Sequence, residues 1–337
     1  MEPLLFMPII LSFFVTLIVL PYWIIKAKKV GFVWKDMNKY EKPKIAGSGG
    51  LIVMMGFVLG VMSYVAIKTF IFKTNVITIE IFALLTTILI SAIIALADDI
   101  LGWTHGGLSA RMRIGLVFLA AVPLIIINAG YTKVTFPFFG TFNLGLLYPI
   151  VLIPLGIIGT STTFNFLAGY NGLEAGQGIL IIGALSIVAF LTGASWLTLV
   201  GACMVVSLFA FLIFNKYPTK VFPGDVLTYP VGALIAVMAI LGNFERIAIF
   251  FFIPYIFETL LKIRGKLKKQ SFGSPQKDNS LELPYEKFYG LEHIAIWFLK
   301  KIKKDKKAYE KEVVYVIYAA QIIIIALGFI IFKKSLF

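Results

Sequence analysis

The sequence predicts an all-α, polytopic membrane protein with about ten transmembrane helices. Of its 337 residues, 59% are hydrophobic and only 14% are charged, whereas about a quarter of the residues are charged in a typical soluble domain. The mean hydropathy is +0.93. Because one span takes about 20 apolar residues, the chain has room for ten spans and short loops. This composition excludes one large soluble globule and a disordered chain.

Ten apolar segments follow one another, and each is long enough, or nearly so, to cross a bilayer. Their predicted bounds are 4–25, 48–67, 77–97, 114–128, 144–161, 178–194, 196–214, 226–242, 246–262 and 313–332. We expect the first segment to be a true span rather than a cleaved signal, because its basic residues Lys26, Lys28 and Lys29 follow it. This order places the N-terminus outside and the first loop in the cytoplasm.

The distribution of lysine and arginine supports an even number of spans. With both termini outside, the cytoplasmic segments hold 25 of the 31 basic residues, as the positive-inside rule requires. The net charge of +14 is then explained by topology and by anionic lipid headgroups, so no nucleic-acid partner is predicted. We treat residues 1–337 as one integral domain of the cell membrane, with the lipid bilayer as its surroundings.

The longest loop, 264–312, is predicted to be cytoplasmic. It begins with a polar stretch that includes Lys268 and Lys269. The later segment, from Tyr289 to Lys307, carries apolar residues followed by a lysine cluster. Such a pattern is typical of an amphipathic helix that lies on the membrane surface, and we expect one there.

Four acidic residues lie in otherwise apolar or glycine-rich segments on the predicted cytoplasmic side. They are Asp98, Asp99, Glu174 and Asp225. Charge at membrane depth is costly unless it pairs, binds an ion or faces water, and adjacent carboxylates repel unless a cation lies beside them. Carboxylate and amide oxygens, such as that of Asn165, are ligands that Mg²⁺ prefers. Their shared membrane face therefore favours one site for Mg²⁺ and a diphosphate.

Plainer interpretations of the same residues stay open at this point. The aspartate pair at the end of the third span is also compatible with a solvated turn at the membrane surface. Asp225, after Pro223 and Gly224, suits a helix N-cap. The segment 165–178 suits a flexible connector, since asparagine and glycine both favour turns.

Three segments resemble the polyprenyl-phosphate N-acetylhexosamine-1-phosphate transferases, which form glycosyltransferase family 4. The segment Asn165-Phe-Leu-Ala-Gly-Tyr-Asn-Gly-Leu-Glu-Ala-Gly-Gln177 is similar to the family signature, above all to that of the archaeal and eukaryotic transferases that use UDP-GlcNAc and dolichyl phosphate. Ala97-Asp98-Asp99 resembles the family's aspartate pair, and Phe222-Pro-Gly-Asp225 resembles its third aspartate. Order, spacing and the ten-span plan also match, so the resemblance covers nearly the whole chain.

The resemblance implies transfer of N-acetylhexosamine-1-phosphate, with GlcNAc-1-phosphate favoured, from a UDP-sugar to dolichyl or another polyprenyl phosphate. The lipid phosphate would attack the phosphorus that bears the sugar, and UMP would leave. This is the first membrane step of lipid-linked oligosaccharide synthesis for protein N-glycosylation. The implied cofactor is Mg²⁺, with Mn²⁺ as an alternative, and the implied site faces the cytoplasm. A homodimer is left open.

The same resemblance implies roles for single residues. Asn165 and Asp225 match the metal ligands, and Asp98 and Asp99 match the catalytic pair. Asp98 is the member favoured to face the reacting phosphates. Arg113 stands where the family usually has a lysine near the phosphates. The residues implied to bind the nucleotide and sugar are Lys44, Gly169, Asn171, Gly172, Glu174 and Lys277.

The last cytoplasmic loop departs from the family in two ways. The eukaryotic enzymes carry an arginine-rich stretch there, whereas this chain has Ser271-Phe-Gly-Ser-Pro-Gln-Lys277. Lys277, Lys268 or Lys269 would replace an arginine only as a point charge and not as a two-pronged donor, so the identity of the sugar stays open. The histidine-rich motifs of bacterial relatives that transfer phospho-MurNAc-pentapeptide are absent from the loop, which argues against those subfamilies.

The alternatives to a transferase are a transporter and a non-catalytic membrane scaffold. A transporter for an anionic solute would also place acids in its spans, but its coupling-ion site would lie near the middle of the membrane. A non-catalytic membrane scaffold would not need three aspartates in apolar settings. The shared cytoplasmic position of the acids favours the transferase over both.

Overall fold

The computed structural model of the chain describes residues 3–74, 77–130, 132–136 and 140–336. Most of them are helical, as the sequence predicts. The helices are α1 (Met7–Val30), α2 (Gly50–Ala66), α3 (Thr78–His105), α4 (Ala110–Ile126), α5 (Ile153–Phe164), α6 (Leu173–Leu191), α7 (Ser195–Asn215), α8 (Asp225–Gly242), α9 (Glu245–Phe251), α10 (Ile253–Arg264), α11 (Leu291–Ile302), α12 (Glu310–Ile331) and α13 (Lys333–Leu336). Three antiparallel two-stranded hairpins join β1 (Val33–Lys35) to β2 (Lys44–Ala46), β3 (Lys133–Phe136) to β4 (Gly140–Asn143), and β5 (Ser274–Pro275) to β6 (Leu281–Glu282).

Seven helical segments in the described part of the chain are long and apolar enough to cross a membrane. They are Pro3–Val30, Gly50–Ile71, Thr78–Thr104, Leu173–Leu191, Ser195–Asn215, Asp225–Gly242 and Glu310–Ile331. This finding agrees with the predicted multi-pass architecture.

The other three predicted spans are helical but shorter. α4 has 17 residues, and Tyr148–Phe164 is a shorter apolar helix. The predicted ninth span is divided at Phe252 into α9 and α10. Pro254 follows this break, and a proline has no N–H to continue the hydrogen bonds of the preceding helix. The count of ten spans therefore stays a prediction.

Small residues let α2 pack closely against α1. A Cβ atom on Gly56 would collide with Thr16, and one on Gly60 would collide with Ser12. Glycines four residues apart share one helix face, which allows two helix backbones to approach. The hydroxyl groups of Ser12 and Thr16 each donate to a carbonyl one turn earlier in α1, at 3.0 Å, so no buried hydroxyl of this contact is left unpaired.

α8 lies inside the bundle, where it packs against α2, α3, α5 and α6. Every residue from Val226 to Ile240 is buried, which is why its sequence is largely apolar on all faces. Gly232 permits the approach of α5, since a Cβ atom there would lie 2.5 Å from Thr160 O. The position of α8 is therefore fixed on all sides, and its first residue, Asp225, is held at one end of the bundle.

Several helix ends meet at this same end of the bundle. Gly50 N, at the start of α2, donates to Pro223 O at 2.9 Å, just before α8. Asp99, near the end of α3, contacts the start of α8. Asn165, at the C-terminal cap of α5, accepts a hydrogen bond from Thr228 of α8. Segments that are distant in the chain, each in or next to a predicted cytoplasmic loop, are thereby brought together.

The long loop 264–312 contains β5, β6 and α11. α11 packs against α10 and α12, with Ile296 on its buried side and Trp297 and Phe298 exposed. A helix is thus present where the sequence predicts an amphipathic one. Its contact with the membrane surface stays a prediction.

Candidate active site

A cavity of about 630 Å³ opens where the helix ends meet. Its walls come from the β1–β2 region, from α3, α5, α6 and α8, and from the last loop. Five of the residues predicted for the site line it: Asp99, Asn165, Gly169, Glu174 and Asp225. The structure therefore gathers the aspartate pair, the signature segment and the third aspartate around one space.

Asp99 holds the start of α8 in place. Its Oδ1 accepts a hydrogen bond from Asp225 N at 2.8 Å. Its Oδ2 accepts from Ser48 Oγ at 2.7 Å and from Val226 N at 3.3 Å. The first N–H groups of a helix have no partner within the helix, so Asp99 of α3 supplies the missing acceptor. Asp99 thus fixes the backbone from which the Asp225 side chain extends.

Gly224 makes this close approach possible. Its backbone has φ +73° and ψ 168°, a conformation that is essentially restricted to glycine. A Cβ atom at this position would collide with Asp99 Oδ2 and would lie 2.9 Å from Ser48 Cα. The Pro-Gly pair before Asp225 is therefore required by the contact between α3 and α8.

We expect Gly224→Ala to abolish turnover with UDP-GlcNAc and dolichyl phosphate, the substrates that the resemblance implies. The backbone strain costs ~1–3 kcal/mol, and the added methyl group displaces the Asp99 carboxylate. The matched control is Gly193→Ala, because Gly193 also has a positive φ of +83° but has nothing within 4 Å of an added Cβ. Thermal unfolding and turnover of both proteins test this. Equal loss of turnover in the two variants would show that the Asp99 contact has no special role.

Asp98 is buried next to Asp225 and is not among the residues that line the cavity. Its Oδ1 accepts from Leu108 N at 2.6 Å, and its Oδ2 pairs with Arg113 Nη2 at 2.7 Å. Arg113 also donates from Nη1 to Tyr229 Oη at 3.3 Å. Asp99 is the member of the pair that lines the cavity, and the expectation that Asp98 faces the reacting phosphates stays a prediction.

Acidic side chains outnumber basic ones among the described residues that line the cavity. The carboxylates of Asp98, Asp99 and Asp225 are close enough to repel one another, and Glu174 lines the same space. Among the lining residues that the structure describes, Lys35 is the only basic one. A diphosphate entering this space unaccompanied would meet like charge.

The donors at the cavity can be compared with the needs of a metal ion. Within the described residues, no group of three His, Cys, Asp or Glu side chains is arranged to hold a metal by itself. Asp225 offers a carboxylate and Asn165 an amide oxygen, and Thr228 Oγ1 orients the latter by donating to Asn165 Oδ1 at 3.0 Å. Mg²⁺ is usually held by one or two carboxylates together with water and substrate phosphates. The donors fit an ion of this kind.

The signature segment forms a tight turn between α5 and α6. Gly169 and Gly172 have φ values of +99° and +90°, which favour glycine. Glu174 Oε1 accepts a hydrogen bond from Gly169 N at 2.7 Å and closes the turn. The other oxygen, Oε2, is buried and has no hydrogen-bond partner among the described residues. One carboxylate therefore both builds the turn and retains an unpaired oxygen.

Asn171 and Gly172 anchor the turn and do not line the cavity. Asn171 Nδ2 donates to Glu310 Oε1 at 2.6 Å and to Asp36 Oδ2 at 3.1 Å. Its Oδ1 accepts from Thr219 N at 2.8 Å. The amide is thus occupied by bonds to other segments of the protein. These two residues thus help to hold the turn, whereas Gly169 and Glu174 line the cavity.

Lys44 and Lys277 lie away from the cavity. Lys44 is exposed in β2, and Lys277 is exposed in the turn between β5 and β6. The cavity is lined instead by further residues, which include Trp34, Lys35, Ser48 and Phe272. No local pattern marks these residues. Their place depends on contacts between distant segments.

The last loop is bound to the signature turn. Tyr170 Oη donates to Ser271 O at 3.3 Å, and Lys262 Nζ donates to Ser271 Oγ. Burial raises the pKa of Tyr170 well above its usual value, so the phenol keeps its proton and acts as a donor. A second cavity of about 330 Å³, lined in part by Lys262 and Lys269, lies against this loop. It shares with the first cavity the residues Asn165, Ala168, Gly169 and Phe272.

Comparison with known proteins agrees with this geometry. Residues 81–243 match the family model described as glycosyl transferase family 4. A Saccharolobus solfataricus protein provisionally named UDP-N-acetylglucosamine--dolichyl-phosphate N-acetylglucosaminephosphotransferase is 38% identical over 292 residues, which cover 86% of this chain and 87% of the relative. A Dictyostelium discoideum protein with the same enzyme name is 30% identical and covers 68% of this chain and 64% of its own length.

A bacterial relative shows how far the similarity extends. The phospho-N-acetylmuramoyl-pentapeptide-transferase of Halalkalibacterium halodurans is 28% identical, over 79% of this chain and 86% of the relative. The relatives with the dolichyl-phosphate enzyme name are more similar in sequence, which confirms the resemblance drawn from the signature segment and the aspartates. The chain belongs to glycosyl transferase family 4.

Proposed function

We propose that this protein transfers GlcNAc-1-phosphate from UDP-GlcNAc to dolichyl phosphate and releases UMP. The meeting of Asp99, Asn165 and Asp225 at one cavity is the observation that carries the proposal. These residues belong to the three segments that resemble the transferases. The names of the archaeal and Dictyostelium relatives give the same donor and acceptor.

In the proposed reaction, an oxygen of the lipid phosphate forms a bond to the phosphorus that bears the sugar. The bond between that phosphorus and the oxygen it shares with the nucleotide phosphate breaks, and UMP leaves with the electron pair. A phosphate monoester is already largely anionic at neutral pH, so a strong base is not required. Positioning and electrostatic stabilisation carry most of the catalysis in phosphoryl transfer.

Each side chain of the site has a separate role in this reaction. Asp225 and Asn165 are the proposed ligands of Mg²⁺, with Mn²⁺ as an alternative. When bound, the ion neutralises charge on the diphosphate. Arg113, held by Asp98 and Tyr229, presents positive charge next to Asp225. Asp99 keeps the start of α8 in the position that this arrangement needs.

Lys35 and Glu174 are the remaining charged groups on the cavity. Lys35 is suited to a phosphate as a point charge. The buried Oε2 of Glu174 lacks a partner among the described residues, and a buried acceptor of this kind is costly to leave unpaired. We propose that it accepts a hydrogen bond from the nucleotide-sugar.

A transporter for an anionic solute is the alternative, and the structure does not favour it. Asp225 is the first residue of α8, and Asn165 caps the end of α5. Asp98 and Asp99 lie in the last two turns of α3. A coupling-ion site near mid-membrane would place such groups in the middle of broken spans.

We also propose that the site faces the cytoplasm of a cell-membrane protein with ten spans and both termini outside. The concentration of 25 of the 31 basic residues on the site's side supports this orientation. The exposed Trp297 and Phe298 of α11, next to the lysines that end that helix, support a place for α11 at the membrane surface. The 264–312 loop would then lie on the cytoplasmic face of a single membrane domain.

This topology predicts that a cysteine at position 277 is unreachable from outside. The variant is Lys277→Cys in a Cys203→Ala background, so that the new thiol is the sole one in the chain. An impermeant maleimide should label it only after sealed cells are opened, because Lys277 lies exposed in the last loop. Labelling in sealed cells would place the loop outside and contradict the proposed orientation.

The function is tested with the purified protein, UDP-GlcNAc, Mg²⁺ and dolichyl phosphate. We expect a lipid product heavier by GlcNAc-phosphate in the mass spectrum and an equal amount of UMP, and neither when the metal is chelated. Parallel reactions with UDP-GalNAc and UDP-glucose test the sugar, and undecaprenyl phosphate tests the lipid. Absence of product and UMP with every donor and acceptor would contradict the proposal.

A further inference from the structure

Asn38 joins two loops that border the cavity. It lies in the segment after β1 and is fully buried. Its Nδ2 donates to Gly169 O at 2.9 Å, and its Oδ1 accepts from Gly273 N at 3.2 Å. Gly169 belongs to the signature turn and Gly273 to the last loop, so one amide links two segments that are distant in the chain. Both ends of the amide are in use.

The same two loops also touch each other directly. A Cβ atom on Gly169 would lie 2.7 Å from Phe272 Cε1, so the Phe272 ring packs against the bare backbone of the turn. Phe272 lines both cavities. The bonds of Asn38 to Gly169 and Gly273 therefore complete a closed set of contacts. Phe272 lies between these two glycines in the set and forms part of the cavity wall.

The segment that carries Asn38 is itself held firmly. Lys39 pairs with Asp36 at 3.4 Å and with Glu310 at the start of α12. Its ammonium group lies 4.4 Å from the centre of the Tyr217 ring. The backbone N–H of Asn38 donates to Asp36 Oδ1 at 3.2 Å. With its backbone anchored in this way, the Asn38 side chain has a fixed position from which to hold the two loops.

We propose that Asn38 is a positioning residue that sets the distance between the signature turn and the last loop. It thereby shapes the cavity for the nucleotide-sugar, a role that rests on the proposed function. Asparagine suits this place because its amide is a donor at one end and an acceptor at the other. An ionised aspartate keeps only the acceptors, and leucine, of similar size, keeps neither. Asn38 acts through Gly169, Phe272 and Gly273 and does not touch substrate.

Steady-state kinetics of Asn38→Asp and Asn38→Leu test this role. We expect the KM for UDP-GlcNAc to rise about tenfold in both, with a smaller change in kcat, because the wall moves while Asp225 and Asp98 stay in place. Phe272→Ala should also raise KM. In the double variant with Asn38→Leu, the two effects should be far from additive, because they act through the same wall. Additive effects, or an unchanged KM, would overturn the proposal.

Hydrogen exchange in the protein without substrate tests the positioning role of Asn38 independently of activity. In Asn38→Leu, the amides of residues 270–274 should exchange faster than in the wild type, because Gly273 N loses its acceptor. The matched control is Gln321→Leu, which removes another fully buried amide whose Nε2 donates to Phe251 O at 2.9 Å. That control should leave exchange in 270–274 unchanged.

The two measurements separate the two proposals. If the wild-type protein shows no transferase activity but Asn38→Leu still exchanges faster, the positioning role of Asn38 is supported and the proposed function is contradicted. Unchanged exchange at 270–274 in Asn38→Leu would overturn the positioning role of Asn38, whatever the activity. A matching rise of exchange in Gln321→Leu would also overturn it, because the effect would then reflect a general loss of stability.

Discussion

Asp225→Asn should abolish turnover while the protein still folds. The backbone N–H of residue 225, which bonds to Asp99 Oδ1, is unchanged by this substitution, so the start of α8 stays in place. The change removes one negative charge from the proposed Mg²⁺ site, where a bound ion contributes several kcal/mol of charge stabilisation in the transition state. We therefore expect a loss in kcat/KM on the order of 1,000-fold or more.

UMP release over a range of Mg²⁺ concentrations measures this effect, and thermal unfolding checks the fold. Asn165→Ala should show a comparable loss, since it removes the other proposed ligand. The matched control is Thr228→Val, which removes the hydroxyl that orients Asn165 Oδ1 but removes no ligand. The loss in kcat/KM of Thr228→Val should stay within about tenfold, which corresponds to the free energy of one hydrogen bond. Activity with unchanged Mg²⁺ dependence in Asp225→Asn would remove Asp225 from the site.

The segments of the site could be predicted because each carries a local signal. Asp98, Asp99 and Asp225 are charged residues in apolar surroundings, and charge in such a place demands a partner. The glycines and asparagines around Gly169 mark a turn, and the structure has one there. These signals depend only on neighbours in the chain, so they are readable before the fold is known.

Other parts of the site could not be predicted because they arise from contacts between distant segments. Asn38, Ser48 and Phe272 are ordinary polar or aromatic residues in loops. Asn38 bonds to Gly169 and Gly273, and Ser48 bonds to Asp99. Nothing in the local sequence marks either partnership.

The orientation of the aspartate pair also depends on contacts between distant segments, so it could not be predicted either. Both residues lie in α3, so their side chains leave the helix about 100° apart. That angle follows from the sequence once a helix is assumed. Which of the two faces the cavity depends on the rotation of α3 about its axis, and this rotation is set by packing against α4 and α8. The structure shows Asp99 on the cavity wall, and the preference for Asp98 as the residue that faces the reacting phosphates stays a prediction from the resemblance.

Asp99→Asn and Asp98→Asn should therefore both lose activity, but for different reasons. In Asp99→Asn, one end of the new amide is a donor, so it cannot accept from all of Ser48, Asp225 N and Val226 N. Loss of charge-assisted hydrogen bonds worth ~1.5–3 kcal/mol each should shift the start of α8. We expect weaker binding of Mg²⁺ with UDP-GlcNAc and a fall in kcat/KM of about 100-fold or more.

Asp98→Asn leaves those bonds to α8 intact but breaks the ion pair with Arg113. The guanidinium then loses the partner that fixes it beside Tyr229 and Asp225. We expect near-normal binding of UDP-GlcNAc with Mg²⁺ and a slow chemical step, since this interaction matters in the transition state. Calorimetric binding and single-turnover rates on both variants separate the cases. Ser48→Ala, which removes one of three donors to Asp99, should have a small effect on both the binding affinity and the single-turnover rate. Wild-type turnover in either aspartate variant, or identical binding and rate defects in both, would contradict the assignment.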